Sequence, residues 1–333
     1  MPYETLCSSG HVDTRLLVGE QQRGAVMNGV ARSKRRESMI HVAKRAGWPV
    51  FGMTMAIAFL VGFVPCFALA EEPTESAGVQ SPEKQLPLHG EVFRVKGHTA
   101  FSLQPEQKHT TRPTPWVWYA PTLPGLPGDE EKWMFEKFLD AGIAIAGIDV
   151  GESYGSPQGR DIYSAFYEAL VQERGLSKQP CLLARSRGGL MLYNWAADHP
   201  SSVACIAGIY PVCNLSSLPG LKKASGAYNM SEEQLAAKLA EHNPIERLEL
   251  LSKAHVPVFL IHGDSDKVVP LEQNSGELAK RYRALGGEIT LKIVEGQGHN
   301  MWPGWFQCQE LVDFVVSHAR NHSPNQVDSD DRK

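Results

Sequence analysis

The sequence predicts an α/β protein, with a mostly parallel central sheet, helices on both faces and one small lid-like insertion. Three observations carry this reading. Strand-like and helix-like segments alternate from about residue 89 to residue 320. Several of the strands are continuous apolar runs, the pattern of strands covered on both faces rather than one. Hydrophobic residues make up 42% and charged residues 21%, values that go with a sizeable core.

Taken in order, Glu91–Lys96 and Thr99–Leu103 read as an opening hairpin, and Trp116–Ala120 as an apolar strand ended by Pro121. Glu130–Ala141 has helical spacing, and Ile143–Val150 is a continuous apolar strand. Asp161–Glu173 is an amphipathic helix, Cys181–Ala184 a short buried strand, Gly188–Asp198 a helix and Val203–Tyr210 a strand. The stretch from Asn214 to Ser252 is looser and holds one clear helix, Glu232–Glu241; its first part, about 214–242, is the expected lid. Strand Val256–Ile261, helix Leu271–Leu285, strand Glu288–Val294 and a last helix near Gln307–His318 complete the domain. In sheets of this kind the chemistry sits at the carboxyl ends of the strands.

The ends read differently. The formal net charge is −4, but residues 1–70 hold more basic than acidic residues, and the rest of the chain is clearly acidic. That balance argues against nucleic acid as a partner, because such binding draws on clustered Lys and Arg. Arg32, Lys34, Arg35, Arg36, Lys44 and Arg45 precede an apolar run from Val50 to Val64, and Ala68-Leu69-Ala70 follows it. The run has signal-peptide length rather than span length, so residues 1–70 are expected to be a leader cleaved after Ala70. The expected location is periplasmic or extracellular, with membrane contact only through that segment. Residues 71–88 read as a flexible linker and 321–333 as a disordered tail. Cys181, Cys205, Cys213 and Cys308 stay in the mature chain with no C-x-x-C spacing; free buried thiols and one disulfide are both open. Nothing in the sequence asks for a metal or an organic cofactor, and it is silent on oligomeric state.

Three segments carry chemistry. In Ala184-Arg185-Ser186-Arg187-Gly188-Gly189 a buried strand runs into a helix with a serine at the junction. Small residues stand two places to either side of Ser186, as a sharp turn under backbone strain requires. Ile261-His262-Gly263-Asp264-Ser265-Asp266-Lys267-Val268-Val269-Pro270 lies between a strand and a helix, and Gly296-Gln297-Gly298-His299 follows the last strand. Together these resemble the nucleophile elbow, acid loop and histidine loop of the α/β-hydrolase superfamily. The likeness includes its serine esterases and the catalytic domain of prolyl-oligopeptidase-like enzymes without their propeller. It covers about Trp116 to Ala319.

The resemblance implies a triad of Ser186, His299 and Asp266, with Asp264 holding the turn. It implies oxyanion donors at the N–H of Arg187 and, because Pro121 has none, at Thr122. Arg185 is expected to pair with a buried acid, while Arg187 either clamps a substrate anion or lies along its helix. Trp302 and Trp305 either line a pocket or pack in the core, and Tyr154 is within reach of the mouth. The implied activity is ester hydrolysis by an exported serine hydrolase, a carboxylesterase or carbohydrate deacetylase acting on a small-molecule or polysaccharide ester. A serine peptidase of the prolyl-oligopeptidase type is the alternative, and a non-catalytic binding protein on a hydrolase scaffold the third reading.

Overall fold

The computed structural model describes residues 84–106 and 112–321, so the expected leader and, past Asn321, the expected tail lie outside the described residues. Eight strands form one sheet: β1 (Glu91–Val95), β2 (His98–Leu103), β3 (Trp116–Ala120), β4 (Ala144–Ile148), β5 (Cys181–Arg185), β6 (Cys205–Ile209), β7 (Val258–Gly263) and β8 (Ile289–Val294). Their order is β1-β2-β4-β3-β5-β6-β7-β8. β2 runs antiparallel to both β1 and β4, and every other pairing is parallel. This is the α/β-hydrolase arrangement. It sets β5, which leads to Ser186, between β3 and β6, at the middle of the sheet where both neighbours can brace it.

Helices cover both faces because the strands are apolar on both. On one face lie α1 (Lys132–Asp140) and the last helix, which supply Phe135, Phe138, Leu311 and Val315 to the core. On the other lie α2 (Pro157–Glu168), α3 (Gly188–Asp198) and α4 (Ser275–Ala284), with Tyr163, Phe166, Trp195, Leu278 and Tyr282. The last helix, α5, spans Gln309–Asn321.

Helix α2 starts four residues before the sequence pattern places it. Its first turn, Pro157–Arg160, carries no large apolar residue, so periodicity misses it. The cap chemistry shows it instead: Ser156 Oγ accepts from the Gly159 N–H, and Pro157 takes the first helical position. At its other end the chain continues as a π-turn over Ala169–Glu173.

Two further expectations change. The segment before β1 packs as soon as it is described: Leu86 and Leu88 lie against the core, and Lys84 Nζ donates to the Leu123 and Leu126 carbonyls at 2.9 and 2.7 Å. Two leucines were enough apolar surface to hold residues read as linker. The helix expected at Glu232–Glu241 is two short ones, Glu232–Ala236 and Leu239–His242. The insertion around them forms a small core of its own, in which Leu215, Tyr228 and Leu235 meet Leu190 and Val212. Cys181, Cys205, Cys213 and Cys308 are free, buried thiols, and Cys181 stands opposite Cys205 in the β5–β6 register.

Candidate active site

Ser186 leaves β5 with a left-handed φ of 49°, a conformation that side chains avoid and that packing must impose. The clamp is β6. The Ser186 N–H donates to the Ile209 carbonyl at 3.0 Å, and the Ser186 carbonyl accepts from Val212 at 2.7 Å. The turn can close this tightly only with glycine behind it. A Cβ on Gly188 would come within 2.1 Å of the Ala120 carbonyl oxygen, and one on Gly189 within 2.3 Å of the Val212 oxygen. Ala184, the departure from glycine on the other side, is fully buried opposite Ala120 of β3.

The acid loop is built as tightly. Asp266 is 6% exposed, and its Oδ1 accepts from the N–H groups of Val268 and Val269 at 2.9 and 2.8 Å. Its Oδ2 lies 2.8 Å from His299 Nδ1, and His299 Nε2 lies 3.0 Å from Ser186 Oγ. A carboxylate only accepts, so Nδ1 carries the hydrogen and Nε2 is left to accept from the serine hydroxyl. Burial pushes the Asp266 carboxyl up, but hydrogen bonds from His262, His299 and Val269 outweigh it and hold the group well below the usual carboxylate range. The neighbouring Asp264 sits in the turn, where Oδ1 accepts from Gly296 N–H at 2.8 Å.

The cavity over Ser186 measures about 190 Å³ and is walled by Pro121, Leu126, Arg185, Arg187, Tyr210, His299, Asn300 and Met301. The Arg187 N–H stands directly after the nucleophile, at the start of α3. Thr122 is buried, with Oγ1 donating to the Tyr119 carbonyl at 3.3 Å, and Pro121 rather than Thr122 lines the cavity. A bare Gly147 in β4 makes room for that threonine, since a Cβ there would meet its hydroxyl at 2.4 Å.

Around this centre the aromatic candidates Tyr154, Trp302 and Trp305 all lie off the cavity wall, Trp305 taking the core place that the sequence left open for it. Tyr154 is buried in the insertion's small core, with its carbonyl accepting from Tyr228 Oη at 2.8 Å; that hydrophobic neighbourhood holds it off the cavity wall. Trp305 is fully buried, donating from Nε1 to Asn300 Oδ1 at 2.9 Å. Trp302 is half exposed and borders a different groove, beside β8, because its ring folds back over Gly304. Arg187 is paired with Glu152 at 2.9 Å at the cavity's rim.

Three residues at the site escaped the sequence reading. Tyr210, at the end of β6, lays its ring 4.3 Å from the His299 ring and edge-on to Trp305. Burial pushes its hydroxyl up to about 12, with the Arg185 guanidinium beside it acting the other way. Its left-handed φ of 36° hinted at nothing in the sequence, because tyrosine is an ordinary strand residue. His262 is fully buried. Its Nε2 donates to the Val269 carbonyl at 2.9 Å, leaving Nδ1 to accept from Ser275 Oγ at 2.8 Å, which braces the acid loop. Glu131, also fully buried, is the acid that pairs with Arg185; it accepts as well from Tyr119 Oη at 2.8 Å and from Gly128 N–H at 2.9 Å.

The sequence matches the prolyl oligopeptidase family, peptidase S9, over residues 152–322. No curated protein matches it. Among solved structures, it resembles a puromycin-hydrolyzing peptidase of Mycobacterium tuberculosis (15% identity, TM-score 0.54, covering 71% of this chain and 39% of that one). It also resembles the dipeptidyl peptidase 4 of Porphyromonas gingivalis (13%, 0.54, 69% and 35%) and the acylaminoacyl peptidase of Pyrococcus horikoshii (18%, 0.54, 70% and 41%). At these identities the likeness is one of fold. The chain spans only about two fifths of the length of each.

Proposed function

The chain belongs to the prolyl oligopeptidase family and is a serine hydrolase, and from that premise we propose that it is a serine peptidase, cleaving a peptide amide through an acyl-enzyme. The observation that carries the reading is the hydrogen-bonded chain Ser186–His299–Asp266, all of it inside the matched segment. The family match reverses the order reached from sequence, where ester cleavage stood first. The solved structures named above are of peptidases, one of them puromycin-hydrolyzing.

In this mechanism Ser186 Oγ attacks the scissile carbonyl carbon while its proton passes to His299 Nε2. Asp266 keeps the imidazole in the right tautomer and stabilises the imidazolium. The proposed donors to the oxyanion are the N–H groups of Arg187 and Thr122, the first aided by the amino end of α3. His299 then returns the proton to the leaving nitrogen as the C–N bond breaks. Water, deprotonated by the same Nε2, attacks the acyl carbon, and Ser186 recovers its proton as the acid departs.

The test is a set of peptide amides and p-nitrophenyl acetate, with the wild type beside Ser186→Ala, and with fluorophosphonate labelling of the serine. Peptide cleavage lost in Ser186→Ala is expected. Ester turnover without any peptide cleavage would restore the esterase reading, and no turnover with no label on Ser186 would leave only a binding protein. Export is part of the proposal: amino-terminal sequencing of the protein recovered outside the cytoplasm should read Glu71-Glu72-Pro73, and an intact Met1 there would count against it.

A further inference from the structure

The guanidinium of Arg185 forms part of the floor of the cavity, with the residue only 8% exposed. One arm is satisfied: Nη1 donates to Glu131 Oε1, and the group lies 4.9 Å over the Phe306 ring. The other arm faces a weak acceptor, Met301 Sδ, 3.2 Å from Nη2, while the Tyr119 and Tyr210 hydroxyls lie beside the guanidinium as further partners. A thioether is a weak acceptor, and a charged donor turned toward one stands ready for a better oxygen. Met301 is 46% exposed and unbranched, so it can yield to an incoming group.

The position of this donor decides which part of a substrate it meets. His299 gives its proton to the leaving group, so the leaving group lies along the wall that His299 forms. Asn300 and Met301 line the cavity directly after His299 in the chain, and Arg185 Nη2 touches Met301 Sδ. Charge decides the chemistry of the acceptor. Arg185 is already neutralised by Glu131, and Arg187 by Glu152. A carboxylate would bring uncompensated charge to a buried floor, whereas a carbonyl would not.

We propose that Arg185 is a specificity-determining residue that binds the backbone carbonyl of the residue following the scissile bond, so that the site favours peptide leaving groups over simple amines and alcohols. The inference rests on the peptidase reading and names its leaving-group subsite.

Partitioning of an acyl-enzyme reads this subsite without knowledge of the acyl specificity. The wild type is acetylated by p-nitrophenyl acetate and intercepted by alaninamide, by sec-butylamine, which lacks the carbonyl, or by alanine, which carries a carboxylate. All are compared at equal free-base concentration. Alaninamide should capture the acetyl group about tenfold better than sec-butylamine, the worth of one charged hydrogen bond, and better than alanine. The preference should fall to about twofold or less in Arg185→Lys, and likewise in Arg185→Met/Glu131→Gln, which removes both charges at once.

Equal or absent capture by the two neutral amines in the wild type would overturn the proposal without any variant. So would a preference for alanine, or a preference that survives in both variants. Failure of p-nitrophenyl acetate to acetylate a Ser186 that also takes no fluorophosphonate and cleaves no peptide would instead bring down the hydrolase reading, and this inference with it. Acetylation followed by indifferent capture would remove the subsite alone.

Discussion

Arg185 and Arg187 stand two positions apart on either side of Ser186, one in the floor of the cavity and one at its rim, each paired with a glutamate. The floor pair has side chains 10% and 1% exposed, and the rim pair 42% and 42%. The difference follows from the elements. Arg185 ends a strand hemmed in by β3 and β6, while Arg187 opens a helix beside the cavity mouth. Buried, each charge is bound to the other because neither can find water. At the rim, water and salt compete for both. Ion pairs of the same chemistry therefore differ in what they do: one fixes the shape of the site, the other is free to rearrange when a substrate arrives.

The largest expected effect is at the other buried acid. Asp266→Asn keeps the shape of the loop but presents the wrong partner to His299 Nδ1, and kcat should fall by about 10⁴-fold. A loss below about tenfold in steady-state assays would mean that Asp266 is only a turn residue. Next comes Glu131→Ala, which strands Arg185 and also orphans Tyr119 Oη and Gly128 N–H. Chemical denaturation should show a loss of about 3–5 kcal/mol. Glu131→Gln/Arg185→Met should recover much of it, and equal losses in single and double variants would break the contrast between floor and rim.

A smaller effect is pH dependence. The Asp266 carboxyl is depressed in the folded state, so its contribution to stability is fully present above the unfolded carboxylate value, roughly pH 4. That contribution is lost as pH falls through the folded value. The wild type should therefore lose more stability than Asp266→Asn between about pH 5 and pH 2 in urea melts. Parallel pH profiles would contradict the assignment. Smallest is the rim: Glu152→Gln should change stability by less than about 1 kcal/mol, and 1 M salt should erase the difference.

Much of this was legible before the structure. The elbow could be read because a strained serine tolerates only small neighbours, and the places of the strands along the chain followed from their apolar runs. Local chemistry of that kind lies within a few residues. What could not be read depends on packing between distant segments. That Arg185 needs an acid was evident from its place at the end of a buried strand. That the acid is Glu131 was not, because the pairing joins residues 54 apart, one just ahead of α1 and the other at the end of β5. Trp302 and Trp305 sit next to each other in the sequence around one helical turn, yet one is in the core and the other on the surface. No spacing rule separates them. Tyr210 is the same kind of case, since its role comes from the loop of β8 folding over the end of β6.

The cysteines of the sheet carry a practical consequence. Cys181 and Cys205 lie side by side in the two central strands, sealed by the helices on both faces, and Cys213 and Cys308 are buried as well. Cys181 Sγ donates to the Val315 carbonyl of α5, so it meets an alkylating reagent only when that helix leaves the sheet or the strands part. The rate at which each takes up label, read by peptide mass spectrometry, is then a clock for opening of the sheet at that point. Cys181 and Cys205 should tick together, at the pace of global unfolding. Cys308, just ahead of the last helix and slightly exposed, should run faster, reporting local opening of that turn while the helix stays on the sheet.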